Sequence, residues 1–167
     1  MAEPEKYDLY GAFVAEAKAY FRLLEYARRA DQEGFPQIGL LFRVIAESER
    51  IHASRNLRLL GDLVVKDTQQ NLEESFEREQ LAAQTHYPEL MRQASEEGNR
   101  IAELVYSQNR DVEARHAELY RHALQFLAGE QEPEYSVCRI CGYVAEGAPP
   151  EVCPVCGAKE GPFRRVE

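Results

Sequence analysis

Residues 45–53 read Ile-Ala-Glu-Ser-Glu-Arg-Ile-His-Ala and residues 109–117 read Asn-Arg-Asp-Val-Glu-Ala-Arg-His-Ala, each placing a glutamate three residues ahead of a histidine. On a helix that spacing puts the two side chains on one face, a turn apart. Each pair is preceded by a further glutamate at nearly the same interval: Glu16 lies 33 residues before Glu49, and Glu79 lies 34 before Glu113. A lone carboxylate on one helix, answered by Glu-x-x-His on the next and then repeated, is the ligand set with which a four-helix bundle holds two metal ions in its core. The expected metal-binding and catalytic residues are therefore Glu16, Glu49, His52, Glu79, Glu113 and His116.

Glu-x-x-His by itself is a weak signal in a chain this rich in glutamate. Position strengthens it. Glu16 sits among Leu9, Phe13, Tyr20 and Leu24; Glu49 follows Leu41, Phe42 and Ile45; Glu79 follows Leu72 and Phe76; Glu113 lies among Val105, Tyr106, Val112 and Tyr120. These are apolar helical stripes, where a lone carboxylate is costly to bury without a compensating cation. Glu73, Glu74, Glu96 and Glu97 fall on polar faces and read as solvated surface.

The 167 residues suit one bundle plus a small module. Residues 129–167 hold five of the eight Pro, half of the ten Gly and all four Cys. Such a shift in composition marks a boundary, giving a four-helix bundle over 1–128, a linker over 129–134 and a cysteine domain over 135–167. A net charge of −9 without a basic run argues against nucleic acid or an anionic membrane as partner. The opening Met-Ala-Glu-Pro-Glu-Lys lacks the apolar core of a signal peptide, and no stretch is long enough to span a bilayer. The expectation is a cytoplasmic protein, in which paired cysteines mean metal more often than disulfide.

Helix signals divide the bundle. A first helix over about 5–32 closes at Gly34, and Pro36 opens a second that stops at Gly61. Thr68 is a plausible cap for the third, which Pro88 should bend or interrupt just beyond Glu79. Ser95-Glu-Glu-Gly98 ends it, and a fourth helix runs from about Asn99 to Ala128.

The tail reads Cys138-Arg-Ile-Cys141-Gly-Tyr and Cys153-Pro-Val-Cys156-Gly. Two CxxC knuckles, each followed by a glycine that lets backbone amides turn toward the sulfurs, make a tetrathiolate metal site. Spacing does not choose the ion. Zinc would only fold the tail, whereas iron in the same ligands carries one electron. A tetrathiolate beside an oxygen-reactive dimetal core has an evident use as its electron inlet, so iron is the expected ion and zinc the alternative.

Taken together, the six bundle residues, Asn71-Leu72, Tyr87-Pro88, His116-Ala-Glu-Leu-Tyr120 and the cysteine tail resemble rubrerythrin over nearly the whole chain. The resemblance implies an all-α ferritin-like four-helix bundle carrying two non-haem irons, joined to a C-terminal rubredoxin-like domain. It implies a peroxidase that reduces hydrogen peroxide to water in oxidative-stress defence, drawing electrons from a rubredoxin or an NAD(P)H-dependent reductase. Carried over by position, Glu49 and Glu113 would bridge the irons, Glu16 and Glu79 would bind terminally, and His52 and His116 would serve one iron each. Cys138, Cys141, Cys153 and Cys156 would hold the third iron, which in head-to-tail dimers of this family lies near the diiron centre of another chain. One departure is Ala82, where rubrerythrins place a second glutamate on the third helix. The alternatives it raises are a ferroxidase or oxygen-reactive oxidase and, from another class, a non-catalytic iron-binding electron carrier.

Chain connection points to a homodimer. The loop between the second and third helices, about 7 to 9 residues, spans at most about 30 Å, whereas a ferritin-like crossover must return along roughly 37 Å of bundle. An intertwined, domain-swapped dimer removes the conflict, as does a direct up-down-up-down hairpin. Tyr20, Tyr26, Tyr87 and Tyr106 are candidate phenols near the metals, though apolar packing with a bonded hydroxyl is the commoner role for any one. His86 and His122 lack a paired ligand.

Overall fold

A computed structural model of the chain describes residues 3–125, 134–159 and 161–166. Two units result, Met1–Lys66 and Asp67–Glu167.

The first is a hairpin of α1 (Glu3–Gln32) and α2 (Pro36–Leu60). Its turn is a Schellman closure: Gly34, at φ 84°, donates its N–H to the Asp31 carbonyl, and the Phe35 N–H reaches back to Ala30 at 2.8 Å. Pro36 follows at once, where a missing N–H costs nothing. Small residues let the helices approach closely, since Ala27, Ala30, Ala46 and Ala53 are buried. At Gly39 a Cβ would collide with the Asp31 carboxylate, so only glycine fits there. The same carboxylate accepts from Arg43 at 2.7 Å, a half-exposed ion pair tying α2 to α1.

The second unit begins with α3 (Thr68–Leu81). The cap is Asp67 rather than Thr68: its side chain accepts the Gln70 N–H at 2.8 Å. Either residue type caps well, and the structure uses the earlier one. The expected disturbance at Pro88 takes the form of a π turn over Ala82–His86, in which the Tyr87 N–H bonds to the Ala82 carbonyl. This widened turn places Pro88 at the start of α4 (Tyr87–Glu96), where its ring does not strike the preceding turn.

Gly98, at φ 69°, repeats the Schellman closure: it bonds to Ser95, and the Asn99 N–H reaches Ala94 at 2.8 Å. The Asn99 side chain then caps α5 (Arg100–Gln125) by accepting from Ala102. Both α3 and α4 pack on α5. The expected end of this helix at Ala128 and most of the expected linker lie outside the described residues.

The tail is a three-stranded antiparallel sheet, ordered β2-β1-β3, of β1 (Tyr135–Cys138), β2 (Val144–Glu146) and β3 (Phe163–Arg165). Ser136 pairs with Ala145 on one side and Arg165 on the other. Among the described residues no helix is long and apolar enough to cross a membrane.

Candidate metal centres

In the first hairpin, α1 supplies Glu16 and α2 supplies Glu49 and His52, and the ligand atoms of the three lie within 4.8 Å of one another. His52 Nδ1 stands 3.0 Å from Glu49 Oε2. A hydrogen bond with Glu49, helped by burial and by the charge of Glu49, raises the Glu16 carboxyl above its ordinary range. Glu49, accepting from Glu16 and His52, is lowered. The two carboxyls are thus coupled through one hydrogen bond, with Glu16 raised and Glu49 lowered.

The second unit repeats the arrangement. Glu79 on α3 and Glu113 and His116 on α5 bring their ligand atoms within 4.8 Å, with His116 Nδ1 3.0 Å from Glu113 Oε2. Burial first, then a hydrogen bond and repulsion from Glu113, push Glu79 up to about 7. Tyr87 stands beside this set. Burial and the Glu113 charge raise its phenol, an Asn109 hydrogen bond pulls it partly back, and Glu79 and Tyr106 add to the rise.

Paired carboxyls, one of which is raised by burial and by its neighbour in each set, are a fit test for metal. An ion of charge two or more favours their ionised forms, and a carboxylate–imidazole donor set suits iron. Burial differs from expectation at one ligand: within its own hairpin the His52 side chain is 48 % exposed, against 26 % for His116. The α1–α2 hairpin closes on one side alone and leaves its ligand face open.

The tail carries a third cluster, of Cys138, Cys141, Cys153 and Cys156. Sγ of Cys138 lies 3.8 Å from that of Cys156, and Cys141 lies 3.6 Å from Cys153. Metal–sulfur bonds of about 2.3 Å arranged tetrahedrally require sulfurs about 3.8 Å apart, so the four thiols fit one ion. The knuckles are copies of each other. Gly142 donates to the Cys138 carbonyl and Gly157 to that of Cys153, both at 2.9 Å, while the N–H groups of Cys138 and Cys153 bond to Tyr143 and Ala158. Each glycine has positive φ, 85° and 70°. Burial disfavours the Cys138 thiolate, but backbone N–H groups of Cys141 and Ile140 and the Cys153 and Cys156 thiols outweigh it, bringing the thiol to about 7.

The structure therefore assembles all ten residues picked out by spacing into three groups. The remaining candidates divide. Tyr87 stands by the second set, with Tyr106 6.3 Å away ring to ring, whereas Tyr26 packs on Phe42 near the Gly34 turn. His86 is exposed and belongs to no cluster among the described residues. Asn109 escaped the sequence reading, although it precedes Glu113 by one helical turn on the same face.

Comparison with known proteins agrees with the geometry. The rubrerythrin family model matches residues 9–124, and the model for the rubrerythrin rubredoxin-like domain matches residues 137–164. Rubrerythrin of Nitratidesulfovibrio vulgaris is 32 % identical over 171 residues, covering 91 % of this chain and 88 % of its own. Nigerythrin of the same organism is 29 % identical over 161 residues, with 89 % and 80 % covered. The solved structure of partially reduced nigerythrin superposes with a TM-score of 0.59 at 27 % identity, covering 96 % of this chain and 86 % of that one. The two Glu, Glu-x-x-His sets are thus candidate iron-ligand groups and the four cysteines a rubredoxin-like iron site, and the chain belongs to the rubrerythrin family.

Proposed function

We propose that the protein is a non-haem diiron peroxidase that reduces hydrogen peroxide to water with electrons delivered through the tetrathiolate iron. The observation that carries this reading is the doubled Glu, Glu-x-x-His cluster on the same chain as a redox-competent thiolate site. Nigerythrin has been solved in mixed-valent and fully reduced, all-ferrous states, which supports metals that change oxidation state over metals that only hold the fold.

Glu16, Glu49 and His52 with Glu79, Glu113 and His116 would hold the two irons. Irons held there would supply electrons and the Lewis acidity that stabilises charge as the O–O bond breaks. Peroxide reduction also consumes two protons. Tyr87, kept protonated and standing beside Glu113 and Glu79, is the chain's own donor on the second-unit side. A cation bound at the clusters would draw the raised carboxyls of Glu16 and Glu79 toward their ionised form.

The short connection between α2 and α3 supports a homodimer in which the α1–α2 set of one copy joins the α3–α5 set of another, with a rubredoxin or NAD(P)H-dependent reductase as donor. We place the bundle at 1–128, the linker at 129–134 and the rubredoxin-like domain at 135–167, in the cytoplasm. One observation favours a second reading. The residues after Glu79 that form the π turn, Ala-Ala-Gln-Thr-His, offer no carboxylate in place of Ala82, so the oxidised pair has one anionic donor fewer. Oxidation of ferrous iron by dioxygen is the competing activity this would favour.

Stopped-flow oxidation of the diferrous protein by peroxide and, separately, by dioxygen tests the assignment. A peroxidase reacts at least about 100-fold faster with peroxide. Equal rates transfer the assignment to an oxidase, and slow reaction with both leaves an electron carrier.

A further inference from the structure

Asn109 lies in the middle of the 26-residue α5, where asparagine serves the helix poorly because its amide competes with the backbone for hydrogen bonds. Its surroundings give it another use. Tyr106 precedes it by three residues and Glu113 follows it by four, so the three share one face of α5, the helix on which α3, the π turn and α4 pack. All three are half-buried, as is Tyr87 at the junction of the π turn and α4.

Across that face the Tyr87 ring stands 6.3 Å from that of Tyr106, and its hydroxyl is hydrogen-bonded to the Asn109 side chain. The bond favours the ionised phenol, as a donor to the oxygen does and an acceptor of the O–H proton does not, so the Asn109 amide nitrogen is the donor. A phenol has one proton to give. With its oxygen already accepting from Asn109, that proton is left for the other side, where the charges of Glu113 and Glu79 are felt.

We propose that Asn109 is a positioning residue: by donating to the Tyr87 oxygen it holds the phenolic O–H toward the Glu79–Glu113 side, where the oxygen leaving hydrogen peroxide collects its proton. The bond between Asn109 and Tyr87 stands on the contacts alone; its part in the reaction rests on the diiron peroxidase reading. In that reaction the O–O bond of hydrogen peroxide breaks with two electrons from the bound metals and two protons, giving two waters. Tyr87 gives one proton as its O–H bond breaks, and the Asn109 amide stabilises the phenolate left behind. Solvent supplies the second proton and restores the phenol.

The test uses the full-length chain with Asn109→Leu, which keeps the volume but has no donor, with Asn109→Ala, and with Asn109→Leu in the Tyr87→Phe background. In the metal-free protein Asn109→Leu should lower Tm by at least about 2 °C more when Tyr87 is present than in the Tyr87→Phe background. In the iron-loaded, fully reduced protein, Asn109→Leu and Asn109→Ala should each slow oxidation of the diferrous pair by peroxide about tenfold at unchanged iron content. Added to Tyr87→Phe, Asn109→Leu should cause no further loss. Equal Tm changes in the two backgrounds overturn the hydrogen bond. A slow Asn109→Ala beside a normal Asn109→Leu means that Asn109 only fills space, and losses that multiply in the double variant mean that it acts apart from Tyr87; either overturns the positioning role. A wild-type diferrous pair inert to peroxide sinks the peroxidase reading instead, while the Tm comparison still decides the bond.

Discussion

The α1–α2 hairpin and the α3–α5 unit carry the same three donors on the same scaffold, yet they hold them differently. In both, a Schellman glycine precedes the glutamate of the Glu-x-x-His pair by 15 residues and the histidine by 18. In the first, the Glu16 carboxyl is raised mainly by its hydrogen bond to Glu49, and His52 stands half in solvent. In the second, burial is the leading cause that lifts Glu79 to about 7, and Tyr87 and Asn109 are drawn in beside it. Helical spacing decides which donors meet. Packing around them decides how strongly they need a cation and which further groups can take part.

Removing a shared ligand type should break the site from either side. Glu49→Ala and Glu113→Ala are each expected to cut peroxide turnover at least about 100-fold and to lower iron from three per chain toward one, leaving the red tetrathiolate colour intact. Metal analysis and peroxide assay check this, and retention of three irons by either variant would show that the halves are not equal partners.

Mixing the halves is the next strongest manipulation. Glu16→Ala and Glu79→Ala homodimers should each be inactive, and co-refolding them in equal amounts should restore about a quarter of the wild-type sites if sets are exchanged between copies. No recovery beyond either parent means that each chain builds its site alone.

A smaller effect separates the halves by their neighbours. Tyr87→Phe should slow peroxide reduction by about 10-fold with full iron content, whereas Tyr26→Phe, at a ring that packs on Phe42 toward the turn of its own hairpin, should leave the rate unchanged. The smallest effect is on metal-free stability. A carboxyl raised from 4.5 to about 7 on folding means that the folded chain binds more protons than the unfolded one between those values. Stability from Glu79 is thus fully present below about pH 4.5 and lost as pH rises through about 7. Calorimetry of the metal-free protein should show Tm falling by a few degrees from pH 5 to pH 8, a slope that Glu79→Gln flattens and iron abolishes.

Much of this was legible in the residues. Four helical segments, both glycine closures, the interruption near Pro88 and all ten cluster residues follow from periods and spacings that local geometry enforces. Less was legible where two local solutions have nearly equal free energy, as at Asp67-Thr68, where both residues can cap. The exposure of His52 and the neighbours of Tyr87 depend on how helices pack. No period in the chain encodes such contacts between elements.

The π turn at Ala82–His86 accounts for one small irregularity. Gly34 follows Glu16 by 18 residues, but Gly98 follows Glu79 by 19, and this surplus is the whole difference between the intervals of 33 and 34. The second unit is in this sense the first with a single residue slipped in, swallowed as a bulge so that everything downstream keeps its phase. Excising one residue from 82–86 would close the bulge into an ordinary helical turn and leave its two sides in the phase they already share, whereas straightening the helix with every residue kept would rotate one side by about 100° relative to the other. The deletion is therefore the tolerated change, and it is regularising the turn at full length that would carry either Tyr87 or Glu79 out of the metal cradle.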